Sequence, residues 1–130
     1  MKRIQPLLLV LAWAGVIFIL SGLNDDHFGI FGGKVIRKIG HLVEYFVLAY
    51  VVYRASMRFF NIGDMGASLA AGFLPLLFAF SDEFHQSFIS SRICDIRDVG
   101  IDMVGVLCFF IFLEIKDHFT AATTLSNSSS

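Results

Sequence analysis

The sequence predicts an all-α fold, a four-helix transmembrane bundle with a polar intramembrane cluster, and three observations carry that expectation. Hydrophobic residues make up 56% of the 130 residues and charged residues only 16%, with 15 phenylalanines, whereas a soluble domain holds roughly 45–50% apolar residues. Ile4–Leu23 is an uncharged run of 20 residues, about what a helix needs to cross a hydrocarbon core of roughly 30 Å. The ionisable residues inside the later apolar segments recur at helical spacing, so they gather on faces instead of scattering. Backbone groups at membrane depth must bond within their own segment, which makes each span a helix.

The elements follow in order. The first span covers roughly Leu7–Leu23, with Pro6 at the helix start where its missing N–H costs least. Lys2 and Arg3 precede it as they would in a signal peptide. Its apolar run, however, exceeds the roughly 7–15 residues usual there and has no convincing Ala-x-Ala cleavage site at its end, so it is read as an uncleaved span. Residues 24–34, with Asn24, Asp25, Asp26, Gly29 and Gly32, form the first connection. The second span runs roughly Val35–Arg54 and ends in a basic stretch with Arg54 and Arg58. Gly63–Gly66 is a short turn. The third span, roughly Met65–Ser81, is uncharged, and Pro75 should kink or break it. Asp82–Asp98 is the long charged connection, and the fourth span covers roughly Val99–Lys116 with Asp102 inside it. Residues 1–119 form one domain, and 120–130 is a Ser/Thr-rich tail expected to be disordered.

Composition excludes some functions. With 10 basic against 11 acidic residues, a net charge of −1, no basic surplus exists to hold phosphate backbones, so nucleic acid is not an expected partner. Cys94 and Cys108 lack a paired zinc or redox spacing, and on one helix they would lie about 21 Å apart, too far for a disulfide. The loop charges tie by the positive-inside count. Assigning Arg37, Lys38, Arg92 and Arg97 to neighbouring acids as partners leaves both termini cytoplasmic.

The chemistry concentrates at a few positions. An ionisable group at membrane depth costs about 2.5–3.5 kcal/mol on insertion scales, so a gathering of them implies pairing or a cavity. On the second span, Lys38, His41 and Tyr45 fall at i, i+3 and i+7, and Arg37, His41 and Glu44 at i, i+4 and i+7, a polar stripe that should face the bundle interior. The third span ends Ser81-Asp82-Glu83-Phe84-His85-Gln86, in which Asp82 shares a face with His85 and Gln86, while a continuing helix would turn Glu83 elsewhere. Asp95, Asp98 and Asp102 repeat the i, i+3, i+7 spacing, and Gly105 continues that stripe with a residue small enough for close helix approach. Each of these residues also has a plain structural reading. His41 and His85 serve as packing residues bonded to acids, Arg92 as a salt-bridge partner, Tyr45 as packing, and Trp13 and the phenylalanines Phe109, Phe110 and Phe112 as contacts to lipid or neighbouring helices.

Lys38-x-x-His41-x-x-x-Tyr45, then Asp82-Glu83-x-His85-Gln86, then Arg92 and a fourth span with Asp98, Asp102 and Gly105, resembles the VanZ-like family of small bacterial membrane proteins over roughly residues 10–115. Ser90-Ser91-Arg92 stands where many members have Pro-Gly-Arg. The resemblance implies a multi-span protein of the bacterial inner membrane and, through the family's namesake, a link to resistance to the glycopeptide teicoplanin. The expected function is a polar cavity near one membrane face that acts on envelope lipids or amphiphiles. Candidate catalytic residues are His41, Glu44, Asp82 and His85; candidate ligand-binding residues are Lys38, Tyr45, Glu83, Gln86, Arg92, Asp98 and Asp102. The alternatives are binding or transport of a polar ligand or proton without catalysis, and a scaffolding membrane protein with a satisfied polar core. Expected partners are the bilayer and an anionic lipid or amphiphile. No cofactor is expected, although His41, Glu44, Asp82 and His85 are residue types that can hold a divalent metal.

Overall fold

Pro6 opens the first helix, α1 (Gln5–Ser21), in the first turn where no intrahelical bond is lost. The computed structural model describes residues 4–22, 33–88 and 96–128. After α1 come α2 (Gly33–Ala55), which passes into a π-helical turn at Ser56–Phe60, then α3 (Asp64–Gln86) and α4 (Ile96–Ser128). Among the described residues there is no strand. Asn61, with φ 52°, closes the π turn through its backbone N–H to the Ser56 carbonyl, a left-handed position that asparagine tolerates better than most residues. The link from α2 to α3 is therefore residues 61–63, and Asp64 lies in the first turn of α3, where the helix dipole favours an acid.

Three boundaries differ from the sequence expectation. α3 passes through Pro75 without a break; the proline is fully buried, and packing on all sides holds the helix together across the lost hydrogen bond. It also continues to Gln86, so Asp82–Gln86 belongs to a helix and not to a connecting loop. α4 runs to Ser128, so helix occupies most of the tail expected to be disordered. No glycine or proline follows Gly105 to stop it, and the hydroxyls of Thr120, Thr123 and Thr124 each donate to the carbonyl four residues earlier at 2.9 Å.

α2 is the centre of the assembly. It packs against α1, α3 and α4, while α1 and α4 do not touch among the described residues. Consecutive helices alternate in direction, because Gln5 of α1 lies with Arg58 beyond α2, Ser21 with Asp82, and His41 with Asp102. The inner face of α3 is built from small residues one turn apart, Ala67, Ala71, Pro75 and Ala79, all buried, which lets its neighbours approach closely. Gly105 on α4 does the same more severely: a Cβ there would collide with the Leu42 carbonyl oxygen and lie 3.1 Å from the Phe46 nitrogen of α2.

Polarity is arranged inside out. Asp82 and Asp102 are each 2% exposed, while Ile19 is 67% exposed and Leu69 68%. A water-soluble monomer rarely exposes large contiguous apolar surface while burying carboxylates. Among the described residues, α3 alone is both long and apolar enough to cross a membrane, and α1 is apolar but shorter at 17 residues, so four such spans are not seen. α2 and α4 have the length, and their charges set them apart from α3.

Candidate functional site

The C-terminal ends of α1 and α3 and the N-terminal halves of α2 and α4 meet at one end of the bundle, each bringing one or more polar side chains inward. Asp82 is held by two neutral donors: the Ser21 hydroxyl donates to Oδ1 at 2.5 Å and the Gln86 amide to Oδ2 at 2.8 Å. Both of its oxygens are thus satisfied within the chain. Asp102 takes a different partner, with His41 Nδ1 at 3.0 Å from Oδ1 and both residues buried. A carboxylate only accepts, so this contact puts a proton on Nδ1 and leaves Nε2 as the ring's second polar atom. Asp82 and Glu44 lie within electrostatic reach of the same imidazole.

A cavity of about 260 Å³ opens between α1 and α2 beside this pair, lined by Leu20, Ser21, Ile36, Arg37, His41 and Glu44, with Gly40 leaving room in the wall. Apolar Leu20 and Ile36 share the lining with a guanidinium, an imidazole and a carboxylate, a surface suited to a molecule with a polar head and an apolar body. Two polar atoms near the cluster, the Tyr45 hydroxyl and His85 Nδ1, are buried and find no hydrogen-bond partner among the described residues. A buried donor or acceptor left unpaired costs about 1–3 kcal/mol, so these atoms mark places where water or a ligand group would be held favourably.

The sequence expectations divide accordingly. His41, Asp102, Asp82, Gln86 and Tyr45 are all buried at this end, and Glu44 lines the cavity. Glu83 is buried too, against the expectation that a continuing helix would turn it away, because it extends the four-residue stripe of Ala67, Ala71, Pro75 and Ala79. Lys38 is exposed and forms no ion pair with the described acids. A lysine's long stem lets its ammonium reach water even from an inward-leaning position. His85 does not pair with Asp82, whose oxygens are already occupied; its ring stacks on Phe18 of α1 with centroids 3.8 Å apart. Asp98 is half-buried one turn before Asp102. Arg92, Cys94, Asp95 and the first connection up to Gly32 lie outside the described residues. No group of three or more His, Cys, Asp or Glu side chains able to hold a metal ion occurs among the described residues.

Some contributors are missing from the sequence reading. Ser21 supplies a donor to Asp82, and its only signal is a small polar residue followed by Gly22 at the end of an otherwise apolar span. Trp13, read as packing, also donates its indole N–H to the Glu44 carbonyl at 2.9 Å, tying α1 to the middle of α2. Phe109 is buried among Phe46, Tyr50 and Tyr53, while Phe112 is 45% exposed.

Comparison with known proteins places this arrangement. The chain is 43% identical over 77 residues to a Bacillus subtilis (strain 168) protein named "Uncharacterized membrane protein YwnJ", a match covering 58% of this chain and 46% of that protein. The aligned stretch thus spans less than half of that relative. No solved structure matches. The family model described as VanZ/LLP1 matches residues 6–117, which include every helix that contributes to the polar cluster, and the chain belongs to that family.

Proposed function

We propose that this chain is an integral protein of the bacterial cytoplasmic membrane, crossing it four times with both termini on the cytoplasmic side. Its polar cavity receives the head group of an envelope lipid or amphiphile and acts on it. The observation that carries this reading is the buried His41–Asp102 contact of 3.0 Å at the wall of a cavity that also presents Arg37 and Glu44. Asp102 orients the imidazole, and His41 Nε2 is the proton carrier offered to a bound head group, the division of labour by which a carboxylate fixes a histidine tautomer for acid/base work. Arg37 is suited to an anionic part of the ligand, since a guanidinium presents a planar fork of donors. Leu20 and Ile36 supply apolar surface for the chain attached to it.

The test compares lipid extracts of cells expressing wild-type protein, Asp102→Asn, or none, together with native mass spectrometry of the purified proteins. A lipid species whose head group changes with wild type and not with Asp102→Asn supports the reading, and altered susceptibility to a glycopeptide is the matching cellular readout. Identical lipid profiles in all three strains, with no lipid retained by the purified wild type, overturn it. A second reading, transfer of a proton or small polar ligand without bond cleavage, draws on the unpartnered Tyr45 hydroxyl and His85 Nδ1. It predicts a retained ligand or proton flux in vesicles with unchanged lipid chemistry.

A further inference from the structure

The opposite end of the bundle carries a second cavity, of about 210 Å³, between the start of α1 and the end of α2, with Gln5, Leu9, Tyr50, Val51, Arg54 and Arg58 in its wall. We propose that it is a binding site for the phosphate of an anionic phospholipid, independent of the polar cluster but resting on the same reading of the chain as a membrane protein.

Three observations carry the assignment. Arg54 and Arg58 stand one turn apart and neither is within ion-pair distance of an acid among the described residues; the nearest described acid in sequence, Asp64, accepts the Tyr53 hydroxyl at 2.9 Å. Two like charges at this spacing repel, so an anion from outside the chain would relieve the pair. Arg54 is held in place, with its guanidinium carbon 5.9 Å from the centre of the Tyr50 ring, an orientation that favours a cation while leaving its N–H groups for the cavity. The turn that carries Arg58 is π-helical and is closed by the left-handed Asn61, an uncommon local geometry that recurs at functional sites and here determines where Arg58 points.

The occupant is a lipid because of where the cavity lies. Both arginines follow the uncharged apolar stretch Tyr45–Tyr53 of α2, the position where a span would meet the head-group layer. Below them the wall is Leu9 and Val51, and Leu8 and Leu9 are more than half exposed, so acyl chains have a continuous apolar path away from the phosphate. Gln5 adds a neutral donor. Paired guanidinium groups bind phosphate oxygens through parallel N–H···O bonds, and a head group without its own cation avoids like-charge repulsion inside the site.

The test titrates short-chain phosphatidylglycerol, phosphatidylcholine and inorganic phosphate separately into the full-length protein in an uncharged detergent, scoring occupancy by native mass spectrometry. Wild type should bind one phosphatidylglycerol in preference to phosphatidylcholine. Arg54→Gln/Arg58→Gln should weaken it about 25-fold, taking a factor of about five for each basic residue near a lipid surface, with phosphatidylcholine binding unmoved. Arg54→Lys/Arg58→Lys should fall between, because the charge stays while the two-donor fork is lost. Circular dichroism and thermal unfolding confirm that each variant keeps its fold, and the lysine pair serves if the glutamine pair does not. Equal phosphatidylglycerol binding by wild type and a folded double variant overturns the site. Binding of inorganic phosphate as tight as that of the lipid overturns the lipid assignment. Absence of the wild-type chain from the membrane fraction overturns the membrane reading and this site with it, a result distinct from either of the others.

Discussion

The two ends of the bundle solve the problem of buried charge in opposite ways. At one end the chain supplies its own partners: Ser21 and Gln86 close around Asp82, and His41 meets Asp102. At the other end Arg54 and Arg58 face an open cavity, and the polar bond that Tyr53 makes to Asp64 is exposed. A charge enclosed by protein depends on its partner for stability, because removing that partner strands it where water cannot help. A charge at an open rim has solvent and ligands to turn to and contributes little to folding. The polar end should therefore respond to mutation mainly through stability, and the basic end mainly through binding.

The sharpest way to break this contrast is Asp102→Ala. It leaves His41 buried without its partner and should cost about 3–5 kcal/mol, the range for stranding one member of a buried pair, read as a fall in the thermal midpoint of the detergent-solubilised protein. A loss under about 1 kcal/mol, within the range of an exposed pair, would mean that the closed end is wetter than its burial suggests. Next in size is Gly105→Ala. The new methyl meets Leu42 and Phe46 backbone atoms of α2, which cannot rotate aside as a side chain would, so helix separation should cost about 3 kcal/mol, at the upper end of overpacking effects. Gly100→Ala is its control: on the same helix, with nothing within 4 Å of the new atom, it should stabilise by about 0.5–1 kcal/mol through helix propensity. If both alanines behave alike, close approach is not what sets Gly105 apart. The smallest effect belongs to Tyr53→Phe, which removes an exposed hydrogen bond and should change stability by less than about 1 kcal/mol in the same unfolding measurement.

Much of the polar end was legible in the sequence because helical geometry relates residues three and four apart. His41 with Tyr45, and Asp98 with Asp102 and Gly105, were placed on shared faces by spacing alone, and close approach at Gly105 followed from its position after the acids. What spacing does not contain is which atoms meet across helices. Asp82 with His85 is a plausible pair along one helix, yet Ser21 from another helix and Gln86 from the next turn reached the carboxylate first, leaving His85 to stack on Phe18. Lys38 shares the face of His41 by angle, and the reach of its own side chain decided otherwise. Glu83 was legible after all: counting back in fours gives Ala79, Pro75, Ala71 and Ala67, an inward stripe that the conspicuous acids beside it obscured. The helical tail beyond Lys116 was missed because Ser and Thr composition argues for disorder, while the chain offers no residue that forces the helix to stop.

Two hydrogen bonds at the polar end, Ser21 to Asp82 and His41 to Asp102, each join residues 61 positions apart, and neither α1 nor α2 can complete its bond without a helix from the second half of the chain. During synthesis α1 and α2 are made first, with Ser21 and His41 still unpaired. Asp82 arrives with α3, but His41 waits until α4 is made and Gly105 lets it settle against α2. The site thus cannot exist in a partial chain. A nascent product lacking its last helix carries a histidine without its buried partner, a mark by which the cell's quality-control proteases could tell an unfinished copy from a finished one.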